Sequence, residues 1–304
     1  MTHALPPLQQ ATKDEKTLDK WGLPVPTLGD LFPAMAPDTE LLAADTFSAT
    51  SLTEIQRCLE NHIDLQLDRF FDENGKEKNE GPMQIKLLHK SPPVLTIDNF
   101  LTESDCHDLK NATEDAHKVD SATFTGAMSS RTSTSWFCRF QAVPVFLAKA
   151  HLILNIPLEK MEEPQIVRYQ KGQEFSWHYD EVPFPQLRNG GQRLATLLVY
   201  LNDVDVKCGG GTAFRDLLTV DGKPVIMQPR KGSALLFFPA LRDGSPDDRT
   251  LHRSEAMTCD IEKWIVQMWV HKETYNAVLP HGNSNVGAKS IVESKIRELG
   301  YGDD

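Results

Sequence analysis

From about residue 120 onward the chain is broken into short runs of β-branched and aromatic residues. They read IVRYQ, EFSWHYD, RLATLLVYLND, GGGTAFR, PVIMQPRKGSALLFFP, TLHRSEAM and KWIVQMWVH. Gly, Pro, Asn and Asp separate them. Runs of this length, punctuated in this way, restrict the region to an antiparallel sandwich or barrel. RTSTSWFCRF, rich in Ser and Thr and then apolar, opens it.

Helical text flanks the strands. SLTE offers a capping box, with Ser51 as N-cap and Glu54 three residues on. Ile55, Cys58, Leu59 and Ile63 then follow at helical spacing. KEKNEGPMQ is a charged loop, PPVLTIDNF is strand-like, and a second box at Thr102 and Asp105 starts a helix over TESDCHDLKNATEDAHK. AVPVFLAKAHLILNI reads as a helix. So does the tail from Val286 to Tyr301, with Ile291, Ile296 and Leu299 on one face. Residues 1 to about 45 hold LPPLQQ, GLPVPTLG and LFPAMAPDT, and Pro excludes helix interiors and central strands. The expected class is mainly β with flanking helices. The expected division is an irregular Pro-rich arm over 1–50, a helical support over 51–92, a catalytic-size domain over 93–275, and a closing loop and helix over 276–304.

The formal net charge of −11 repels phosphate backbones, so nucleic acid is not an expected partner. A small anion could still meet a single buried cation. Cys58, Cys106, Cys138, Cys208 and Cys259 are scattered, odd in number and without a CxxC pair. That spacing predicts neither a disulfide framework nor a Cys-type zinc site, and it fits a reducing compartment. MTHALPPLQQATKDEK has no apolar leader core, and no run approaches membrane-spanning length. The chain reads as soluble and intracellular, with no membrane partner. A leader lost from its start would point instead to the endoplasmic reticulum.

FSWHYDEVP places His178 and Asp180 two apart. In a strand such residues project from one face. Alone, the pair also fits an alternating strand with a solvated polar face. A metal needs a third ligand from elsewhere, and His252 in DRTLHRSEA is the best candidate, since an antiparallel sheet could return it beside His178. Two His and one carboxylate leave the remaining octahedral positions open, which suits non-haem Fe(II) that binds a co-substrate and O2. No helical HExxH is present for hydrolytic zinc. His3, His62, His89, His107, His117 and His151 fall in helices, loops or the arm and most read as surface residues, His271 as structural and His281 as solvated.

Lys263 opens the alternating strand EKWIVQMWVH. If that strand lines the sandwich, its ammonium points inward and needs an anion, for which the far carboxylate of a dicarboxylic acid is suited. The alternative is snorkelling at the strand entry. Tyr169 and Thr212 could add hydroxyl hydrogen bonds to the same anion, or be ordinary strand surface. GGQR and GGGT are turn signals without the terminal GK[ST] of a phosphate loop.

In order, RTSTSWF, VRYQKGQEFSWHYD, GGQRLATLLVYLNDV, GGGTAF, PRKGSALLFF, DGSPDDRTLHRSEAM and EKWIVQMWVH resemble the 2-oxoglutarate and Fe(II)-dependent dioxygenases. Within them they resemble the prolyl 4-hydroxylase (alpha-subunit catalytic domain) branch. The resemblance runs from about Pro93 to Lys272. It implies a double-stranded β-helix, or jelly roll, supported by helices. It implies iron ligands at His178, Asp180 and His252, 2-oxoglutarate contacts at Lys263, Tyr169 and Thr212, and peptide-substrate contacts at Arg193 and Trp269. The implied reaction is C–H hydroxylation of peptidyl proline with Fe(II), 2-oxoglutarate and O2, giving succinate and CO2. A reductant such as L-ascorbate is implied to help. Hydroxylation of a free amino acid or other small molecule, and a jelly-roll binding module without turnover, are the alternatives. Three departures bear on substrate: Phe175 where the family often has Tyr, an unusual loop EVPFPQLRN, and no acidic pair before the Gly run of CGGGTAF.

Overall fold

The structure, a computed structural model, describes residues 52–65, 83–120, 131–183, 186–218, 223–277 and 287–301. The Pro-rich arm, Ser51 and the KEKNEGPMQ loop up to Pro82 lie outside them. Described elements are α1 (Leu52–Cys58), β1 (Gln84–Lys90), β2 (Pro93–Asp98), α2 (Glu103–Asn111), β3 (His117–Asp120), β4 (Thr134–Phe137), α3 (Pro144–Leu154) and β5 (Gln165–Tyr169). They continue with β6 (Phe175–His178), β7 (Arg193–Tyr200), β8 (Thr212–Leu218), β9 (Pro224–Met227), β10 (Ala234–Phe237), β11 (His252–Ser254), β12 (Lys263–His271) and α4 (Ala288–Glu298).

The strands form an 8-stranded sheet, ordered β1-β2-β10-β7-β12-β5-β4-β3, and a 4-stranded sheet, ordered β6-β11-β8-β9. Each named pairing is antiparallel. This is the jelly-roll core the strand rhythm and the resemblance led us to expect. Strand period places the two faces of the large sheet in two apolar cores. Along β12, Val266, Met268 and Val270 pack in the core that includes the helices, while Ile265 joins Phe214, Met227 and Tyr169 in the core between the sheets.

Local chemistry explains the flanking helices. The capping box at α2 forms as expected, with Thr102 and Asp105 each accepting from the other's backbone N–H. α3 begins with Pro144 and ends at Asn155, which takes the left-handed conformation at φ 52°. Most of α3 is buried, Lys149 included, and that ammonium reaches the Phe100 carbonyl at 2.7 Å and Asp105 at 3.4 Å. Among the described residues no helix is long and apolar enough to cross a membrane.

Several expectations need correction. The helix from Thr102 stops at Asn111 and a 3-10 turn follows. His117 and Lys118 then lie in β3, at the edge of the large sheet. Only Cys106 and Leu109 are buried on α2, too thin an apolar stripe to prolong it. The helix at Leu52 ends at Cys58, although Ile55, Leu59 and Ile63 are all buried. Strand β1 was hidden in sequence behind a charged loop; its Ile85 and Leu87 enter the core. On α4 the inward stripe is Ala288, Val292, Ile296 and Leu299, which leaves Ile291 exposed.

Two histidines expected at the surface are buried. His62 is 6% exposed and His89 0%. His62 packs against the Phe238 ring, and neither of its ring nitrogens has a hydrogen bond within the described structure. His89 Nδ1 meets the Pro92 carbonyl at 2.8 Å. Burial pushes each down to about 4, with Asp247 pulling upward and Arg249 downward.

Cys208 and Cys259 form a disulfide across 51 residues of sequence. The expectation of unpaired cysteines is therefore wrong, and the argument for a reducing compartment loses its basis. The pair meets only because the turn before β8 packs on the loop after β11, a contact invisible to residue spacing.

Leu236 is fully buried in β10, opposite Leu95 and Leu197 on its two neighbouring strands. Leu236→Ala should cost about 2–5 kcal/mol, read as a lower urea midpoint with an unchanged slope.

Candidate functional site

The site is built by a strand register. His252 on β11 lies directly opposite His178 on β6. Asp180 sits two residues past His178, where the strand has ended. His178 Nε2 is 3.7 Å from Asp180 Oδ1, and His252 Nε2 is 3.7 Å from Asp180 Oδ2. All three are buried, with ligand atoms within 4.8 Å of one another. Among the described residues this is the one grouping of three His, Cys, Asp or Glu with such geometry.

Each imidazole is oriented by a carbonyl two residues before it. His178 Nδ1 lies 2.8 Å from Ser176 O, and His252 Nδ1 lies 2.9 Å from Thr250 O. A carbonyl only accepts, so Nδ1 carries the proton and the Nε2 lone pair faces Asp180. Asp180 accepts from Thr196 Oγ1 at 2.8 Å. Burial alone would raise the Asp180 pKa, but His252 and His178 when protonated, and Arg193, outweigh it and hold the carboxyl well below the usual range. Phe175 stacks on His178 at 3.5 Å between ring centroids, and Phe237 meets His252 edge-on at 4.8 Å.

Lys263 lies deeper between the sheets and is 0% exposed. Its one hydrogen bond among the described residues goes to Ser254 Oγ at 2.9 Å. The ammonium sits 5.1 Å from the Tyr169 ring and 5.7 Å from the Tyr200 ring. Burial pushes the amine down to about 7, with Glu255 a weaker upward influence. Glu262 turns away, toward Gln170 and the Trp264 indole. Burial raises the Tyr169 pKa, against Ser133 and Ser254, which lie beside its hydroxyl and favour its ionised form. Thr212 Oγ1 is 2.8 Å from the Tyr200 hydroxyl. Lys263 and Tyr169 are direct partners across β12 and β5, and Ser254 and Thr212 across β11 and β8.

Arg193 and Trp269 meet beside Asp180. The Arg193 guanidinium lies 3.9 Å from the Trp269 ring centroid. It donates to Glu162 at 2.6 and 2.9 Å and to the Asp180 carbonyl at 3.1 Å. Glu162 also receives His271. Among the described residues the buried Trp269 N–H has no hydrogen bond of ordinary geometry, and it favours the ionised form of nearby Asp180.

The sequence reading missed Thr196, Tyr200, Ser254, Arg131 and Glu162. Thr196 could have been found as the lone hydroxyl in the apolar run LATLLV. Arg131 donates to Ser133 and Ser135 and lies over Phe175, 5.1 Å from its ring centroid. Glu162 carried no local signal at all.

Residues 164–271 match the 2OG-Fe(II) oxygenase superfamily. The chain is 31% identical over 224 residues to prolyl 4-hydroxylase 5 of Arabidopsis thaliana, covering 65% of this chain and 75% of that protein. It is 29% identical over 224 residues to prolyl 4-hydroxylase 2 of the same plant, covering 66% and 74%. Among solved structures it is similar to a viral collagen prolyl hydroxylase from Paramecium Bursaria Chlorella virus-1 in a 2OG complex. There the TM-score is 0.46 at 26% identity, over 58% of this chain and 94% of that one.

The burial of Lys263 sets a pH dependence that needs no bound group. Its folded value of about 7 lies below the ordinary 10.5. Between these the unfolded chain holds a proton the folded chain releases, so stability rises with pH across the window and falls as pH drops toward 7. Lys263→Met should remove this slope, roughly 5 kcal/mol at full extent, in urea unfolding from pH 7 to 10.5. A variant slope equal to the parent's would mean that Lys263 is not its source.

Proposed function

The chain belongs to the prolyl 4-hydroxylase family of the 2OG-Fe(II) oxygenase superfamily, and we propose that His178, Asp180 and His252 hold its Fe(II) while Lys263 holds the far carboxylate of 2-oxoglutarate. The observation that carries this is the pairing of a buried three-ligand cluster with a buried ammonium that, among the described residues, forms no salt bridge and bonds only the Ser254 hydroxyl. The donor set fits the metal: two neutral imidazoles with oriented Nε2 atoms and one carboxylate leave positions for a chelating acid and a gas. When bound, Fe(II) and 2-oxoglutarate supply the oxidising chemistry, splitting O2 between succinate and a new hydroxyl on the substrate, with release of CO2.

The chain's own residues position and exclude. Ser176 and Thr250 fix the two rings through their carbonyls, and Thr196 fixes the carboxylate. Lys263, once facing a carboxylate, regains a partner for its charge, and a charge-assisted bond of that kind sets the acid's register. Tyr169 and Thr212 are the acid's proposed hydroxyl partners. Phe175, Phe214 and Phe237 wall the histidines with apolar rings and keep water from the reacting centre. The catalytic unit on this reading is 93–275, with 51–92 as support and 276–304 as closure.

The proposed substrate is a proline residue in a peptide, with Arg193 and Trp269 at its side of the metal. Three Arg193 contacts are already made to Glu162 and Asp180. Arg193 therefore offers a fixed guanidinium and a ring surface, and pays little ordering entropy on contact.

A proline-rich peptide incubated with the protein, Fe(II), 2-oxoglutarate and ascorbate should gain one oxygen in mass, while free proline should not. Equal turnover of free proline would overturn the peptide assignment. His178→Ala should lose Fe(II). Lys263→Ala should keep it and weaken 2-oxoglutarate by about 2–5 kcal/mol, measured by anaerobic titration. Equal loss of iron in both would contradict the roles given to them.

A further inference from the structure

The Cys208–Cys259 disulfide has no place in the chemistry above, yet one of its ends, Cys208, stands two residues from Gly210, beside which the Lys263 side chain runs. Cys208 directly precedes Gly209-Gly210-Gly211, the turn into β8. Cys259 lies four residues before Lys263. Backbone contacts bring the two segments together: Thr258 N–H donates to Cys208 O at 2.9 Å, and Glu255 N–H to Gly211 O at 2.8 Å.

The packing is close enough that only glycine fits. A Cβ on Gly209 would stand 2.2 Å from the Ala256 carbonyl oxygen. A Cβ on Gly210 would stand 2.5 Å from Met257 Sδ and 3.5 Å from Lys263 Cδ. Both glycines also have positive φ, 69° and 73°. The Lys263 stem therefore passes the Gly turn at Gly210, where Met257 also packs, and the disulfide ties that turn to the segment that leads from Met257 to Lys263. Beyond Cys259 the side chains of Asp260 and Ile261 are exposed, so the apolar packing of this loop ends with Met257 and the disulfide itself.

We propose that the Cys208–Cys259 disulfide is a positioning element for the 2-oxoglutarate carboxylate pocket, so that co-substrate affinity depends on the redox state of this pair. The inference rests on the reading of Lys263 given above. A dithiol opens the bond by attack of its thiolate at Cys259 Sγ, the half-cystine of the more exposed residue. The S–S bond breaks, two electrons and two protons pass to Cys208 and Cys259, and the dithiol closes to its own disulfide. The loop then loses its covalent tie to the Gly turn, and the ammonium is held less firmly at the position an acid must meet. The iron ligands sit on other strand positions and keep their register.

The test uses the full chain, reduced with dithiothreitol, desalted without oxygen, and loaded with redox-inert Mn(II). Calorimetry should show a five- to thirty-fold higher Kd for 2-oxoglutarate than in the oxidised protein, with Mn(II) affinity unchanged and tight binding restored on reoxidation. Cys208→Ser/Cys259→Ser should bind weakly whether or not it has met reductant. A reduced protein with two titratable new thiols and a 2-oxoglutarate Kd within twofold of the oxidised form overturns the inference. So does loss of Mn(II) and 2-oxoglutarate together, which would make the bond a general staple. Oxidised Lys263→Met serves as the separate control. If it binds 2-oxoglutarate as tightly as the parent, the reading of the pocket fails and the inference with it. If it binds weakly while reduction changes nothing, the inference alone fails.

Discussion

Antiparallel pairing of His252 with His178 is the constraint on which the site depends. Side chains alternate along a strand, so a slip of one residue between β6 and β11 would turn one imidazole to the outer face. Nothing in the two histidines themselves prevents that slip. The register is held by what surrounds it: β11 is also paired with β8, and Phe214 and Phe237 pack on the His252 ring. The apolar core between the sheets thus does for the ligands what a preformed metal would otherwise have to do.

The same core sets the character of the deeper pocket. An amine placed there loses water and gains one hydroxyl, which is why its proton affinity falls so far. The large sheet can carry such a residue because its other strands are close to continuous apolar runs. β10 and the stretch from Leu194 to Val199 on β7, with Thr196 as the polar exception, bury their side chains on both faces. Stability is generated at the centre of the sheet and spent at its two ends, on Lys263 and on the cluster around Asp180.

Much of this was legible in the chain. The strand rhythm, the capping box at Thr102 and the helix around Phe146 follow from period and punctuation, which act over a few residues. The same local logic put His178 and Asp180 on one face and aimed Lys263 inward. It failed wherever a residue's fate was decided by a distant partner. Glu162 meets Arg193 and His271 only after three strands assemble. Cys208 and Cys259 lie 51 residues apart, and no spacing rule joins them. Strand β3 was read as helix because its sequence is polar; its pairing with β4 overrode that preference. His62 and His89 looked solvated for the same reason, since burial is a property of the neighbours.

Those two histidines carry a consequence for acid tolerance. Each is folded in its neutral form, and each resists protonation down to about 4, against an ordinary 6.5. As pH falls through that interval the unfolded chain takes up protons that the folded one refuses, which withdraws roughly 3 kcal/mol per ring at most. Both rings lie near Asp247 and Arg249, where the segment ending in His62 is tied to the body through Arg242. Acidification therefore loosens this brace, whose histidines lie far before the first ligand in sequence.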